Sequence, residues 1–377
     1  MINTAKRLFE RVKARRAFAR SQRGRWESSP QDAERVRVSY GLETLPAVED
    51  KSGGGIIKLL DLAQVFPNHI RGANLLYLVS SALPPFAADM ARQARRAGVK
   101  IVLNQNGVAY PAWHGRGWQV TNRPLRRVLD QADYVFYQSQ FCKRSADRFL
   151  GPPAGGFEIL HNAVDTSVFT PCPDTPKSEC RTLLLAGSHC HPYRVQSALH
   201  TLAALRKTGA SVRLLIAGRV AWDADETRAG REARDLVKYL QLDAWVEFTG
   251  PYSQAEAVSL FRRADLLLHT KYNDPCPRVV LEAMSCGLPV VYSASGGMPE
   301  LVDESSGRGV PAPLDWEQDH APDPDLLAQA VMDVLTNYDA RARAARERAV
   351  RCFDVKAWIG RHRVVFAGLV SDRPSGG

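Results

Sequence analysis

Asp274–Val302 reads DPCPRVVLEAMSCGLPVVYSASGGMPELV, and its punctuation orders the elements around it. The apolar run Leu266–His269 just before it predicts a strand that ends in a loop carrying Asp274. A helix is expected from about Val279, with Glu282 on it. Gly287-Leu288-Pro289 stops that helix, because glycine accepts the left-handed cap and proline cannot continue the turn. Val290–Val291 then reads as the next strand. Ser295-Gly296-Gly297 opens a further helix at Pro299, with Glu300 in its first turn. Two loops and two helix N-termini are thereby expected at the carboxyl ends of parallel strands, where open α/β sheets bind ligands. Free N–H groups at such helix starts favour phosphates. Two carboxylates placed there, Asp274 and Glu282, are costly unless each meets donors, and the hydroxyls of a sugar and a ribose are suitable donors. The plainer alternative is a helix, turn and strand whose acids are incidental.

Outward from this segment the chain alternates β-rich runs with helical stretches. Thr182–Ala186, Val212–Ala217, Val246–Phe248 and Gly309–Val310 join the two strands above. Helices are expected at Val195–Arg206, Glu232–Leu240 and Gln254–Arg262. An earlier set comprises strands Val36–Tyr40, Leu75–Val79, Val99–Leu103 and Tyr134–Tyr137, and helices Ile56–Val65, Pro85–Ala97, Arg123–Gln131 and Gln140–Leu150. Gly53-Gly54-Gly55 reads as a loop, and residues 171–180 as a hinge rich in Pro, Asp, Ser and Thr. Such alternation implies parallel sheets covered on both faces. A length of 377 residues is too great for one ordinary core, so two α/β domains are expected. The boundaries are a basic N-terminal segment 1–34, a first domain 35–172, a second domain 173–350, and a helix within 351–377 that crosses back to the first domain.

The net charge of +10 is local. Residues 1–26 carry nine Lys or Arg against Glu10 alone, which leaves only +2 for the rest of the chain. A basic patch confined to one terminus is poor evidence for a nucleic-acid-binding body. Residues 4–20 read as an amphipathic helix, with Ala5, Leu8, Phe9 and Val12 on one face. Two readings of it stand: contact with an anionic membrane surface, or packing on the first domain with Phe9 and Phe18 as core residues. Seven scattered cysteines without a C-x-x-C pair argue against a disulfide framework or a zinc site. No apolar run approaches the length of a membrane span, and the expected location is cytoplasmic, either free or peripheral on the inner face of the membrane.

The segment Asp274–Val302 resembles the nucleotide-sugar signature of the retaining family 4 of GT-B glycosyltransferases. The matching residues are the two acids eight positions apart, Glu282-Ala283-Met284, Gly287, Pro289-Val290-Val291, Gly296-Gly297 and Pro299-Glu300. His161-Asn162-Ala163-Val164-Asp165, with Phe169 and Pro171, is similar to the join between the two domains in that family. Gly53–Gly55 is similar to the glycine-rich loop of its first domain, and Gly250 to a turn beside the base. The resemblance implies a GT-B fold, with two Rossmann-like domains facing each other across a cleft, and a hexosyltransferase-type activity. The donor substrate would be a nucleotide-diphosphate sugar such as a UDP- or GDP-sugar. The acceptor would be a glycan, a glycolipid or a small molecule. Neither cofactor, metal nor nucleic acid is expected.

Residue by residue, the resemblance gives Glu282 the ribose hydroxyls and Asp274 the hydroxyls of the transferred sugar. It puts the backbone at Gly297 and Met298 near the diphosphate, with Gly55 across the cleft. Arg194 stands where the family usually has Lys, and Ser188 where it usually has Arg. His189, His191, Arg219 and Lys271 are the candidates to replace the missing cation. Asn106 occupies the place of a sugar-contacting His, and His114 nearby is the candidate to move into it. Asp274 itself replaces Glu. The run Tyr110–Trp118, rich in aromatic residues, is either an acceptor platform or a loop packed on its own domain. A rival from another class is a nucleotide-sugar-binding protein of the same fold with little or no turnover, of which Ser188 and Asn106 would be the marks.

Overall fold

A computed structural model describes residues 35–46, 54–172 and 179–371, together with scattered positions before residue 27, including Phe18, Arg25 and Trp26. The predicted apolar face Ala5, Leu8, Phe9 and Val12 lies outside the described residues, as do Gly53 and residues 173–178 of the predicted hinge.

The first sheet holds β1 (Val38–Ser39), β2 (Leu75–Val79), β3 (Lys100–Gln105), β4 (Tyr134–Tyr137) and β5 (Gly156–Ile159), all parallel and in that spatial order. Helices α1 (Gly54–Ala63), α2 (Ala87–Arg96), α3 (Pro111–His114), α4 (Trp118–Leu129) and α5 (Gln140–Phe149) lie between these strands. Alternate side chains serve opposite faces, as a strand requires. Leu76, Leu78, Ile101, Leu103, Val135 and Tyr137 pack under α2 and α5 with Met90, Ala94, Phe141 and Ala146. Leu75, Tyr77, Val79, Val102 and Phe136 pack on the other face with Leu59 and Leu62 of α1.

The second sheet holds β6 (Arg181–Ala186), β7 (Val212–Ala217), β8 (Val246–Gly250), β9 (Leu266–His269), β10 (Val290–Ala294) and β11 (Gly307–Pro311). Its helices are α6 (Pro192–Lys207), α7 (Glu226–Tyr239), α8 (Gln254–Arg262), α9 (Arg278–Ser285), α10 (Met298–Leu301) and α11 (Pro324–Thr336). The spatial order is β11-β10-β9-β6-β7-β8, all parallel. The chain therefore reverses direction across the sheet between β6 and β9. This is the doubly wound order with its switch point, the crevice where such sheets take nucleotides.

Two more helices close the chain, α12 (Tyr338–Phe353) and α13 (Val355–Ser371). Helix α13 packs on the first domain, where Trp358, Val365, Phe366 and Val370 share a core with Tyr40, Tyr77 and Phe136. His362 is fully buried there. Its Nδ1 donates to the Trp358 carbonyl at 2.9 Å and its Nε2 accepts from the Tyr77 hydroxyl at 3.1 Å. The two chain crossings lie side by side, because Val164 N donates to Phe353 O at 2.9 Å and Val355 N to Val164 O at 3.0 Å.

Several predicted elements are corrected. Gly54 and Gly55 open α1 and are not a loop. Helix α4 starts at Trp118, before the predicted Arg123, because the buried amide of Asn122 holds both backbone groups of Ala109 and substitutes for an apolar contact. Helix α7 likewise starts at Glu226, where Asp225 caps it by accepting from Thr227 N. Strand β5 went unread, since its Gly-Phe-Glu-Ile is partly exposed at the sheet edge and follows a Pro- and Gly-rich run. Outside this order, the Phe18 ring lies tilted against Phe86 with centroids 5.2 Å apart, and Trp26 is buried in the core of the first domain.

Candidate active site in the cleft between the domains

A cavity of about 590 Å³ lies between the domains. Its first-domain wall includes Gly54, Gly55 and Lys58 of α1 and Asn106 after β3, and its second-domain wall includes Lys271, Asp274 and Arg278. The walls are held together by contacts that cross the cleft. Arg278 of α9 meets Asp61 of α1 at 2.6 Å. Ser139 Oγ donates to Pro275 O at 2.7 Å, and Asn162 Nδ2 to Cys276 O at 2.5 Å. Glu300 reaches the N-terminus of α5 and accepts from Gln140 N at 2.7 Å and Phe141 N at 3.1 Å. Trp316, from the segment after β11, packs against Tyr110, Phe141 and Phe149 of the first domain.

Asp274 sits just past the carboxyl end of β9, beside the switch point. Its Oδ2 is 3.2 Å from Lys271 Nζ and 3.2 Å from His269 Nε2. Burial pushes its carboxyl upward, but Lys271, the His269 hydrogen bond and Arg194 together outweigh that and hold it well below the usual carboxylate range. It is a fixed anion, able to accept from hydroxyl groups. The tight loop around it depends on glycine. Gly296 has φ +63°, and a Cβ on it would run into the Asp274 carbonyl. A Cβ on Gly297 would strike the Pro275 carbonyl.

Glu282 lies one turn into α9 and is buried. Arg278 Nε donates to its Oε1 at 3.1 Å and Gln254 Nε2 at 3.0 Å. Its remaining acceptor capacity suits vicinal hydroxyls. Arg194 is buried in the first turn of α6. Its guanidinium donates to the Ser188 carbonyl and, at 3.5 Å, to the Ala186 carbonyl at the end of β6. It therefore ties down the loop after β6 and adds positive potential behind Asp274. Burial lowers its pKa, opposed by the Asp274 charge.

Of the residues given site roles from sequence, the cavity brings together four: Gly55, Asn106, Lys271 and Asp274. Asn106 Oδ1 accepts from Ser80 Oγ at 2.6 Å, which fixes its amide. The others lie outside its lining. Ser188 is exposed, and its carbonyl serves Arg194. Arg219 is exposed and 3.5 Å from Glu226. His114 is exposed on α3 and bonds Thr121 Oγ1 at 2.8 Å, so it does not enter the place that Asn106 holds. Gly297 N donates to Asp274 O at 2.8 Å, and Met298 is a core side chain. His189 is no cation: burial pulls its pKa down to about 3, and Arg194 adds to this. Two Asp-x-Asp triplets, 223–225 and 323–325, serve as helix caps, with Asp225 and Asp323 each accepting from backbone N–H groups.

Sequence reasoning missed Lys58, Asp61, His269 and Arg278. Lys58 had a signal, a lone cation among apolar neighbours in Gly-Gly-Ile-Ile-Lys-Leu-Leu, at the spacing that puts it on the buried face with Gly55, Leu59 and Leu62. Trp113, on α3, reaches the second domain. Its ring is 5.1 Å from that of His191, and Lys271 Nζ lies 4.9 Å from it.

Two facing parallel-sheet domains with a doubly wound second sheet define the GT-B fold, and known proteins agree. Residues 180–337, which hold all six strands of the second sheet, match the family model of the group 1 glycosyl transferases. The chain is 30% identical over 233 residues to glycogen synthase of Mycobacterium tuberculosis, covering 60% of this chain and 52% of that one. It is 31% identical over 253 residues to D-inositol 3-phosphate glycosyltransferase of Mycobacteroides abscessus, covering 63% and 51%. It is 25% identical over 291 residues to a GDP-mannose-dependent monoacylated alpha-(1-6)-phosphatidylinositol monomannoside mannosyltransferase of Corynebacterium glutamicum, covering 72% and 70%. It thus spans about half the length of the first curated relatives it matches. Among solved structures, sucrose-phosphate synthase of Thermosynechococcus elongatus superposes with a TM-score of 0.63 at 20% identity, over 80% of this chain and 75% of that one. Anabaena HepE, in complex with UDP and glucose, gives 0.63 at 19%, over 83% and 81%.

Proposed function

We propose that the chain is a retaining glycosyltransferase that moves a sugar from a nucleotide-diphosphate donor to a hydroxyl acceptor. The observation that carries this reading is the buried anion Asp274, set at the switch point of the domain that matches the group 1 family model and lining a cavity shared with the first domain. The nucleoside lies along the second domain with its ribose on Glu282. Asp274 accepts from the hydroxyls of the transferred sugar and orients its anomeric carbon. Cleavage builds positive character on the sugar and negative charge on the departing phosphate, and fixed cations stabilise the latter. In this reading protein cations fill the place a metal would hold. The acceptor enters from the first domain, past Asn106 and Trp113. A volume of about 590 Å³ is within the range of small-ligand sites.

The experiment is turnover with a panel of UDP- and GDP-sugars and mixed acceptors, run with and without chelator. Released nucleoside diphosphate with retained anomeric configuration supports the proposal. Binding without turnover favours the rival reading as a nucleotide-sugar-binding protein. Activity abolished by chelator and restored by magnesium or manganese overturns metal independence. The basic residues 1–26 support contact with an anionic membrane surface, and the packing of Phe18 and Trp26 on the first domain limits how much of the segment is free to make it. Flotation with anionic but not neutral vesicles, released by salt, is the expected sign of that contact.

A further inference from the structure

Among the described residues, the cations that line the cavity or stand behind Asp274 are held by partners, except for Lys58. Arg194 is turned into the carbonyls of Ala186 and Ser188. Lys271 is held by Asp274, and Arg278 by Asp61 and Glu282. Lys58 is 5% exposed, lines the cavity and makes no hydrogen bond or ion pair among the described residues. It stands on the first turns of α1, whose N-terminal residues Gly54 and Gly55 line the same cavity. A buried ammonium without a partner is costly unless an anion joins it. An anion there gains both the charge and the helix start.

We infer that Lys58 is a donor-binding residue that holds the diphosphate from the first domain and supplies the positive charge that Ser188 cannot. The assignment rests on the donor reading above and deepens it. It makes the phosphate subsite a property of both domains together, since Lys58 and Asp274 line one cavity from different domains.

Titratable and charged groups surround Lys58 from several elements. Cys142 of α5 and Cys276 before α9 face it, both with thiols pushed up by burial. Arg278 and Asp61 stand on either side, and Lys271 and Asp274 share the cavity. Burial pulls the ammonium down to about 8. An anion binds the protonated form, so affinity is full below that value and falls as pH rises through it.

The test is calorimetric titration of the full chain with UDP, GDP and the corresponding nucleosides at pH 7 and pH 9. In Lys58→Met the nucleoside diphosphate is expected to bind at least about tenfold more weakly at pH 7, with nucleoside affinity unchanged. Wild-type diphosphate affinity falls towards pH 9, Lys58→Met loses that dependence, and Lys58→Arg binds well at both pH values. Methionine suits a buried site in volume, and a cooperative thermal transition confirms that the variant folds. Equal diphosphate affinity in wild type and folded Lys58→Met overturns the assignment and leaves the glycosyltransferase reading standing. A wild-type chain that binds no nucleoside diphosphate sinks both.

Discussion

At the scale of residues, the site is a set of charges fixed by neighbours and by burial. Asp274 is the clearest case, with Lys271 and His269 on one oxygen and Arg194 behind. Asp274→Asn keeps the shape but removes the charge that those cations balance. Turnover is expected to fall by about 10²-fold or more. Nucleoside diphosphate affinity, measured without sugar, should change little if Asp274 serves the sugar as proposed. A loss of diphosphate affinity as large as the loss of turnover would instead make Asp274 a general organiser of the site. Asp274 and Glu282 were legible because a signature spaces them along one loop and one helix. Lys58 and the Arg278–Asp61 pair were not, since their meaning comes from residues more than 200 positions apart meeting across the cleft. Arg194 was legible by position but not by posture. That its side chain would turn back into its own loop depends on carbonyls that a sequence does not display.

At the scale of elements, helix ends and helix docking do most of the positioning. Most strands and helices of both domains could be read from periodicity, whereas the edge strand β5 and helix starts that rest on polar caps or buried amides could not. Glu300 caps α5 from the other domain, where burial pushes its carboxyl up but His161 and the α5 amides draw it down further. Glu300→Gln is expected to cost about 1 kcal/mol of stability in denaturant titration. It should also speed amide hydrogen exchange at Gln140 and Phe141, and unchanged exchange there would count against the cap. Helix α13 carries a pH dependence. Burial holds His362 neutral, with its pKa pulled down to about 3. An unfolded histidine takes up its proton near 6.5, so the unfolded state binds more protons between these values. Stability is therefore complete above about pH 6.5 and is lost as pH falls towards 3, by about 1.4 kcal/mol per pH unit for each such group. His189 acts in the same direction. Thermal unfolding from pH 7.5 to 4.5 should show a steeper decline in the wild type than in His362→Gln, where Tyr77 keeps a polar partner. Parallel declines would mean that His362 is not the sensor.

At the scale of the molecule, the cavity is walled by both domains, so its shape depends on how they are held together. The two chain crossings, at Val164 and at Phe353–Val355, lie side by side and form a narrow hinge on one edge. Among the described residues, contacts opposing an opening motion include the Arg278–Asp61 pair, the Pro275 and Cys276 carbonyls, Glu300, Trp316, and Trp113 against His191 and Lys271. Interfaces of this kind permit domain motion. Under the proposed donor placement Arg278 would couple the motion to the donor, because the same guanidinium bonds Asp61 of the first domain and Glu282, the proposed ribose acceptor, of the second. Asp61→Asn weakens the link across the cleft while leaving Glu282 its partner. The ligand-free variant is expected to open, seen as a larger radius of gyration in small-angle scattering. Saturating nucleoside diphosphate should restore the compact form, at the cost of a weaker apparent affinity, because binding must then shift a less favourable equilibrium. The affinity loss should follow the closed fraction, so that diphosphate, which engages both domains, suffers more than nucleoside, which engages one. If Asp61→Asn leaves the radius unchanged and weakens both ligands equally, the pair shapes the second domain rather than latching the two together.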